Sequence, residues 1–460
     1  MPTLFNRYYS NRNLSFFLGE GCLIFLSIML VNWVFKGNVI FWIDLFDCFR
    51  QAMAVTIIFQ LCLYFFDLYD LNSGISMPET VTRITQAFGV GCIVLAVLYY
   101  FLPDLLISTR VFWTGYLMIC VTVFLWRSFY YYILRKRLFV QTTIVIGTGK
   151  LACAIAREVE GRRDSGYKIL GFVGKEEPQY NPNKVPVFPE LEDMSDALSL
   201  KSLDRIVVAP EDRRGSTPVQ TLLQCKLRGI IVEQGVSFYE RIAGKILVER
   251  VDPSWIIFSG GFGLSRLKRS LKRVADICLS CLLLPLSIPI LLLSAMIIKL
   301  ESPGPAFYTQ ERVGQYGTSF QLIKLRSMRQ DAEKDGAVWA SKNDARVTRF
   351  GSILRKLRID ELPQIWNVIK GEMSFVGPRP ERPVFVEQLV KEIPYYGIRH
   401  VIKPGLTGWA QICYPYGASK EDALRKLEYD LYYLKNFSIA LDFVIVFNTV
   451  KTVLCGKGAR

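Results

Sequence analysis

The stretch Arg358–Pro383, RIDELPQIWNVIKGEMSFVGPRPERP, sets two adjacent carboxylates, Asp360 and Glu361, at the head of an apolar-periodic run. Arg355, Lys356 and Arg358 come just before the acids, and Arg379 and Arg382 follow between prolines. Leu362, Ile365, Trp366 and Ile369 recur at i, i+3, i+4 and i+7, which predicts one apolar helix face. Pro363 suits the first turn of that helix and Gly371 its end. The acids therefore fall at or just before a helix N-terminus, where the dipole favours a carboxylate and equally a bound phosphate. Acids at a helix start are ordinarily caps, so the pair alone argues for nothing. The cations around it do. Arg379 sits between Pro378 and Pro380, a guanidinium held at low entropic cost and suited to bidentate phosphate recognition. Lys324 and Arg326 in FQLIKLRSM, Arg312 in QERVG and Arg355 extend the basic set.

The remainder of the chain reads as membrane-bound. It has 460 residues, 51% of them hydrophobic, and a net charge of +15, which suits a cytoplasmic-leaflet surface, nucleic acid or a phosphate-rich substrate, and charge alone does not choose among them. Eleven cysteines, many inside apolar runs, read as small buried hydrophobes. His400 is the only histidine, which excludes a multi-histidine metal site. Four apolar segments, near Leu14–Phe35, Ala52–Tyr69, Ile84–Leu102 and Val111–Leu134, each approach the ~20 residues that cross a bilayer as helix. Arg7 and Arg12 precede the first, and Arg135, Lys136 and Arg137 follow the fourth. The loops Gly37–Asp47 and Pro103–Ser108 carry no cation, so both ends of this bundle are expected on the cytoplasmic side. Tyr130, Tyr131 and Tyr132 fit an interfacial belt.

After residue 138 the pattern changes. A β-branched strand, Thr142–Ile146, runs into Gly147-x-Gly149 and a helix from about Leu151, with Ala152 as the third small residue. Further strands are expected at ILGFVG, DRIVVAP and GIIVEQ. This predicts a Rossmann-like α/β domain over residues 139–251. No acid clearly ends a second strand, so Gly147 and Gly149 are weak dinucleotide ligands, and a structural turn is the preferred reading. A cofactor role there would make the chain an NAD(P)-linked membrane oxidoreductase or epimerase, one alternative function; a non-catalytic assembly scaffold is the other.

Ser265–Lys299 is a second apolar run, with Pro285 and Pro289 in its middle and cations at both ends. Mid-run prolines remove helical hydrogen bonds and favour a kink. Basic flanks on both sides predict a re-entrant helix over about residues 271–298, bent at Ser287 and Pro289, with Ser287 bonding a carbonyl that Pro289 frees. The alternative is a kinked fifth crossing. Ser438–Leu454, apolar but interrupted by Asp442, Asn448 and Lys451, suits an interfacial helix.

The stretches LKRVAD, AFYTQERVG, FQLIKLRSM, ARVTRFGSILRKLRIDELPQIWNVIKGEMSFVGPRP and IKPGLTGWAQI strongly resemble the bacterial sugar transferase family, the monotopic polyprenyl-phosphate phosphoglycosyl transferases. The whole chain resembles the large subgroup that initiates exopolysaccharide synthesis, and YPYGASKEDALRKLEYDLYYLKN with the terminal GKGAR resembles a branch associated with PEP-CTERM sorting. The resemblance implies a fold of transmembrane helices (residues 1–138), the α/β domain (139–251) and a mostly helical catalytic domain (265–460). It implies transfer of a sugar-1-phosphate from a UDP-sugar to undecaprenyl phosphate at the bacterial inner membrane, with the catalytic domain cytoplasmic, UMP released, and no nucleic acid involved. Asp360 would be the nucleophile and carry the phosphosugar covalently, and Glu361 would bind Mg²⁺. Arg379, Lys324, Arg326, Arg312 and Arg355 are the candidate phosphate ligands. His400 is a candidate proton acceptor, and Trp409 and Gln411 candidate pocket residues. In the family a Ser-Pro step breaks the re-entrant helix; here the pair is split as Ser287-Ile288-Pro289. A homodimer through the middle domain is also implied.

Overall fold

The computed structural model describes residues 3–4, 7–8, 11–71, 77–162, 164–175, 177–191, 203–210, 218–251, 253–263, 265–330, 332, 344–415, 417 and 419–454. The terminal GKGAR lies outside them. The chain divides into two compact units, essentially residues 8–235 and 236–460.

Four helices open the first unit: α1 (Asn11–Ile43), α2 (Leu45–Phe65), α3 (Met77–Phe101) and α4 (Thr109–Arg135). Each is long and apolar enough to cross a membrane. Ile24, Ile28, Phe59, Phe88 and Ile119 fill the bundle core, while Val39, Val97, Trp113 and Leu117 face outward. The segment after Gly37, expected as a loop, continues as helix to Ile43. Gly37 takes φ +74°, which turns the chain without ending the next helical stretch. A pair the sequence did not flag lies within the bundle: Arg127 Nε and Nη2 donate to the two carboxylate oxygens of the fully buried Glu20 at 2.7 and 2.9 Å.

Five parallel strands follow: β1 (Gln141–Ile146), β2 (Tyr167–Val173), β3 (Val187–Phe188), β4 (Arg205–Val208) and β5 (Ile231–Gln234), in the order β3-β2-β1-β4-β5. Helices α5 (Lys150–Gly161) and α6 (Val219–Leu227) connect them. The order reverses beside β1, and there Gly147 adopts φ +113°. A Cβ on Gly147 would lie 2.2 Å from the carbonyl oxygen of Ala209 at the end of β4. Backbone packing inside the sheet therefore accounts for this glycine.

The two compact units divide at Gly235. Helix α7 (Gly235–Ala243) and the turn after it pack into the second unit. Glu240 accepts from Lys435 Nζ at 2.6 Å and Asn436 Nδ2 at 2.8 Å, and Ile246 N–H donates to Glu428 O at 3.0 Å. Apolar alternation marks strands but not which neighbour a following helix will choose.

Helix α8 (Arg266–Glu301) dominates the second unit. Then come the hairpin β6 (Phe307–Val313) and β7 (Ser319–Leu325), α9 (Arg349–Lys356), a 3₁₀ turn at Ile359–Gln364, and α10 (Ile365–Lys370). β8 (Ser374–Val376) pairs in parallel with β9 (Gly405–Thr407), bracketing α11 (Pro383–Glu392). Helices α12 (Lys420–Lys435) and α13 (Ile439–Leu454) close the chain. Both ends of α8 are tied into this unit. Near its start, Arg273 donates to Val368 O and Ile369 O at 2.6 and 2.7 Å, and Asp276 accepts from Ser374 Oγ and Phe375 N–H. Near its finish, Ile298 packs with Ala306, Leu325 and Leu354. Ser287 Oγ donates to Leu284 O at 2.9 Å. The carbonyl that Pro289 deprives of its i→i−4 donor is that of Pro285, so the expected serine rescue is not the bond observed.

Substituting Gly147→Ala should strain the backbone and collide with Ala209, lowering stability by more than about 1 kcal/mol. Thermal unfolding of the purified protein checks this, and an unchanged midpoint would refute the packing account.

Candidate active site

The acid pair sits in the first turn of the 3₁₀ element Ile359–Gln364, and Pro363 lies inside that element rather than in its first turn as expected. Arg358, just before it, is held at φ +54°, a left-handed conformation costly for a residue with a side chain. The turn leads into α10, which Gly371 ends at φ +88°. The apolar face differs from the one expected. The 3₁₀ start changes the angular step per residue, so Gln364, Ile365, Asn367 and Val368 are buried, while Trp366 is 51% exposed. Buried Asn367 ties α10 to β7: its Oδ1 accepts from Ile323 N–H at 3.1 Å and its Nδ2 donates to Gln321 O at 2.8 Å.

Asp360 and Glu361 are both buried, at 7% and 8% exposure, yet their surroundings differ. Three cations converge on Glu361: Arg379 Nη2 at 2.9 Å, Arg358 Nη1 at 3.3 Å and Lys324 Nζ at 3.4 Å. Asp360 has no hydrogen bond or ion pair among the described residues. Burial works to raise the Glu361 carboxyl, but Arg379, Lys324 and Arg358 outweigh it and hold it well below the usual carboxylate range. Burial raises Asp360, the neighbouring Glu361 charge raises it further, and Lys324, Arg355 and Arg379 only partly compensate. Burial likewise lowers Lys324, with Arg379 and Arg312 adding repulsion against the pull of Glu361 and Asp360. The result is one carboxylate fixed by cations beside another that is left open.

The remaining candidates divide. Arg355 lies close enough to act on Asp360 and donates through Nε to Ser327 Oγ at 2.9 Å. Arg312 braces the loop after Arg379, donating to Pro380 O at 3.2 Å and pairing with Glu381 at 3.7 Å. Arg326 is directed elsewhere: it donates to Pro303 O, Ser302 O and Ser302 Oγ, each at 2.8 Å, and so caps the end of α8. Trp409 is 3% exposed and its Nε1 donates to Gly244 O at 2.9 Å, so it packs in the interior of this unit. Gln411 Nε2 contacts Leu406 O at 3.4 Å, beside β9. His400 is pushed down to about 4 by burial and by Arg399 beside it, which leaves a neutral, weakly basic imidazole at neutral pH. Sequence reasoning left out Arg358, Arg399 and Asp430 from the site; the last two are charges buried next to Arg379, recognisable only once the fold brings them together.

No group of three or more His, Cys, Asp or Glu side chains able to hold a metal occurs among the described residues. Glu361, the expected Mg²⁺ ligand, has three cations on its oxygens in this arrangement, and a site of one or two carboxylates would leave most of the metal's shell to substrate oxygens and water.

The bacterial sugar transferase model matches residues 267–456, and a CoA-binding domain model matches residues 64–213. An exopolysaccharide production protein PSS of Rhizobium leguminosarum bv. phaseoli is 42% identical over 198 residues, 41% of this chain and 98% of that protein. The chain belongs to the bacterial sugar transferase family. A UDP-N-acetylgalactosamine-undecaprenyl-phosphate N-acetylgalactosaminephosphotransferase of Aeromonas hydrophila is 44% identical over 239 residues, 52% of this chain. A UDP-glucose:undecaprenyl-phosphate glucose-1-phosphate transferase of Escherichia coli (strain K12) is 42% identical over 198 residues, 43% of this chain. The matched regions span 56% and 43% of those two relatives.

Two outcomes follow from the charge pattern. Because the folded Asp360 carboxyl lies above its unfolded value, its ionised form opposes folding at neutral pH and its neutral form does not. Asp360→Asn should therefore raise the thermal midpoint at pH 7.5, with the gain fading as the pH falls towards about 4. His400→Gln should leave the pH–rate profile between about 6 and 8 unchanged, since the imidazole is already neutral there. A limb lost near the ordinary histidine range would show that His400 does exchange a catalytic proton.

Proposed function

We propose that this chain transfers a sugar-1-phosphate from a UDP-sugar to undecaprenyl phosphate, releasing UMP and initiating exopolysaccharide assembly. The observation that carries this reading is the pairing of an open, buried Asp360 with a Glu361 held by three cations. A carboxylate oxygen of Asp360 attacks the β-phosphorus of the donor. The bond from that phosphorus to the bridging oxygen breaks, UMP departs with the electron pair, and the sugar phosphate remains on Asp360 as an acyl phosphate. A phosphate oxygen of the polyprenyl acceptor then attacks the same phosphorus, and the Asp360 carboxylate leaves unchanged. Arg379 and Lys324, already gathered around Glu361, neutralise the donor diphosphate that would otherwise repel an anionic nucleophile. Glu361, with Asp360 adjoining, would hold Mg²⁺, which supplies further neutralisation of phosphate charge when bound. The names of the relatives above carry UDP-N-acetylgalactosamine and UDP-glucose, which supports a UDP-hexose as the donor.

The reading extends to the membrane. Helix α8 is taken as re-entrant, with both ends on the cytoplasmic face of the inner membrane. Its two ties to one compact unit support this. A straight helix would set Arg273 and Ile298 about 38 Å apart. Their partners, Val368 and Leu325, belong to elements joined by the Asn367–Ile323 bond, and Ile323 is only two strand residues, about 7 Å, from Leu325. The parallel-sheet region is taken as a Rossmann-like structural domain, consistent with the close approach of Ala209 at Gly147. The PEP-CTERM-associated branch rests on the C-terminal sequence stretch alone.

Purified protein given polyprenyl phosphate and a UDP-sugar panel should release UMP with at least one donor. Asp360→Asn should abolish release with every donor, and Arg379→Ala should lower kcat/KM by about 10²–10³. Turnover by Asp360→Asn would remove the covalent mechanism. Cysteines introduced at Lys268 and Lys299 should react with an impermeant reagent from the same side of the membrane; labelling from opposite sides would make α8 a crossing helix.

A further inference from the structure

The segment that presents Arg379 has little of its own to hold it. Pro378 and Pro380 have no N–H, so this backbone cannot be pinned through those amides. It is held instead by its carbonyls, four in succession. Pro378 O accepts from Gly405 N–H at 2.9 Å, Arg379 O from Arg399 Nη2 at 3.1 Å, Pro380 O from Arg312 Nη1 at 3.2 Å, and Glu381 O from Val313 N–H at 3.0 Å. Arg399 is the donor to Arg379 itself. It is 5% exposed, pairs with the 2% exposed Asp430 on α12 at 2.8 Å, and donates to Tyr396 Oη at 2.5 Å. A buried ion pair is poor value as a source of stability, because desolvating two charges offsets most of their attraction. Apolar side chains would fill the same space, but they could not grip a carbonyl.

We propose that Arg399, backed by Asp430, is a positioning residue for Arg379: it fixes the Arg379 backbone from behind so that the guanidinium in front meets Glu361 and the donor diphosphate. The proposal rests on the reading that Arg379 binds that diphosphate. Arg399 touches neither acid of the pair, so its effect on the reaction passes through Arg379.

The test is a double-mutant cycle on the full-length protein, read as UMP release in single turnover against UDP-sugar concentration. Arg399→Lys keeps the charge but loses the fork that reaches three partners at once. Asp430→Asn keeps the shape and removes the backing charge, and Tyr396→Phe removes a single hydroxyl. In the otherwise native chain, Arg399→Lys and Asp430→Asn should lower kcat/KM at least tenfold, and Tyr396→Phe less. In an Arg379→Ala background the same changes should cost less than twofold more, because the group they aim is gone. A structural role would instead give equal losses in both backgrounds, and that additivity would overturn the proposal. So would unchanged kcat/KM in the native background. Should Arg399→Lys not fold, the other two variants complete the cycle. UMP release by the native chain together with additive losses would sink this proposal and leave the proposed reaction standing. No UMP release by the native chain with any donor would overturn both.

Discussion

Three cations meet on one buried carboxylate, and the rest of the catalytic unit is arranged around that meeting. Lys324 comes from a hairpin, Arg358 from a strained residue before the acid pair, and Arg379 from a proline-bounded loop. Two carboxylates side by side in a buried place would repel each other, and one would take a proton. Gathering the cations on Glu361 resolves that conflict asymmetrically: it stays charged, while Asp360 has no hydrogen bond or ion pair among the described residues. An open carboxylate next to a reservoir of positive charge suits attack on a phosphorus already surrounded by negative oxygens.

Holding that meeting in place demands close backbone packing. The VGPRP and KPGLTG stretches interlock through β8 and β9, and a Cβ on Gly377 or Gly405 would sit 2.4 or 2.1 Å from backbone atoms of the other stretch. Glycine is required there because one main chain lies against another. Asn367, fully buried, performs the corresponding task for α10 and β7 with one side-chain amide. In both places polar or missing side chains, not apolar bulk, fix where the acid pair lies relative to its cations.

The membrane segment is built into this frame. Arg273 and Asp276 lock the first turns of α8 to the end of α10 and to β8, and Ile298 locks its last turns to β7 and α9. The middle of the helix presents Leu282, Leu286, Leu292 and Leu293 outward. A helix tied at both ends to the unit that carries Asp360 keeps the acid pair at a fixed place relative to its apolar midsection. For the proposed reaction, in which one substrate is water-soluble and the other is anchored in lipid, such a fixed relation is what brings both to one phosphorus.

Much of this was written in local chemistry. Apolar runs of bilayer length marked four helices, β-branched runs between glycines marked the parallel strands, and the motifs around Asp360 marked the family, because each depends on residues close together in the chain. What the sequence could not contain was direction. Arg326 stands two residues from Lys324, yet it turns to the end of α8 while Lys324 turns to Glu361. Trp409 lies in a motif stretch, yet it packs on Gly244. Arg399 and Asp430 carry no local mark in the sequence, yet the fold buries them behind Arg379. Composition and spacing determine which groups are available. Which of them face the acid pair depends on contacts between residues dozens to hundreds of positions apart, and only tertiary packing makes those.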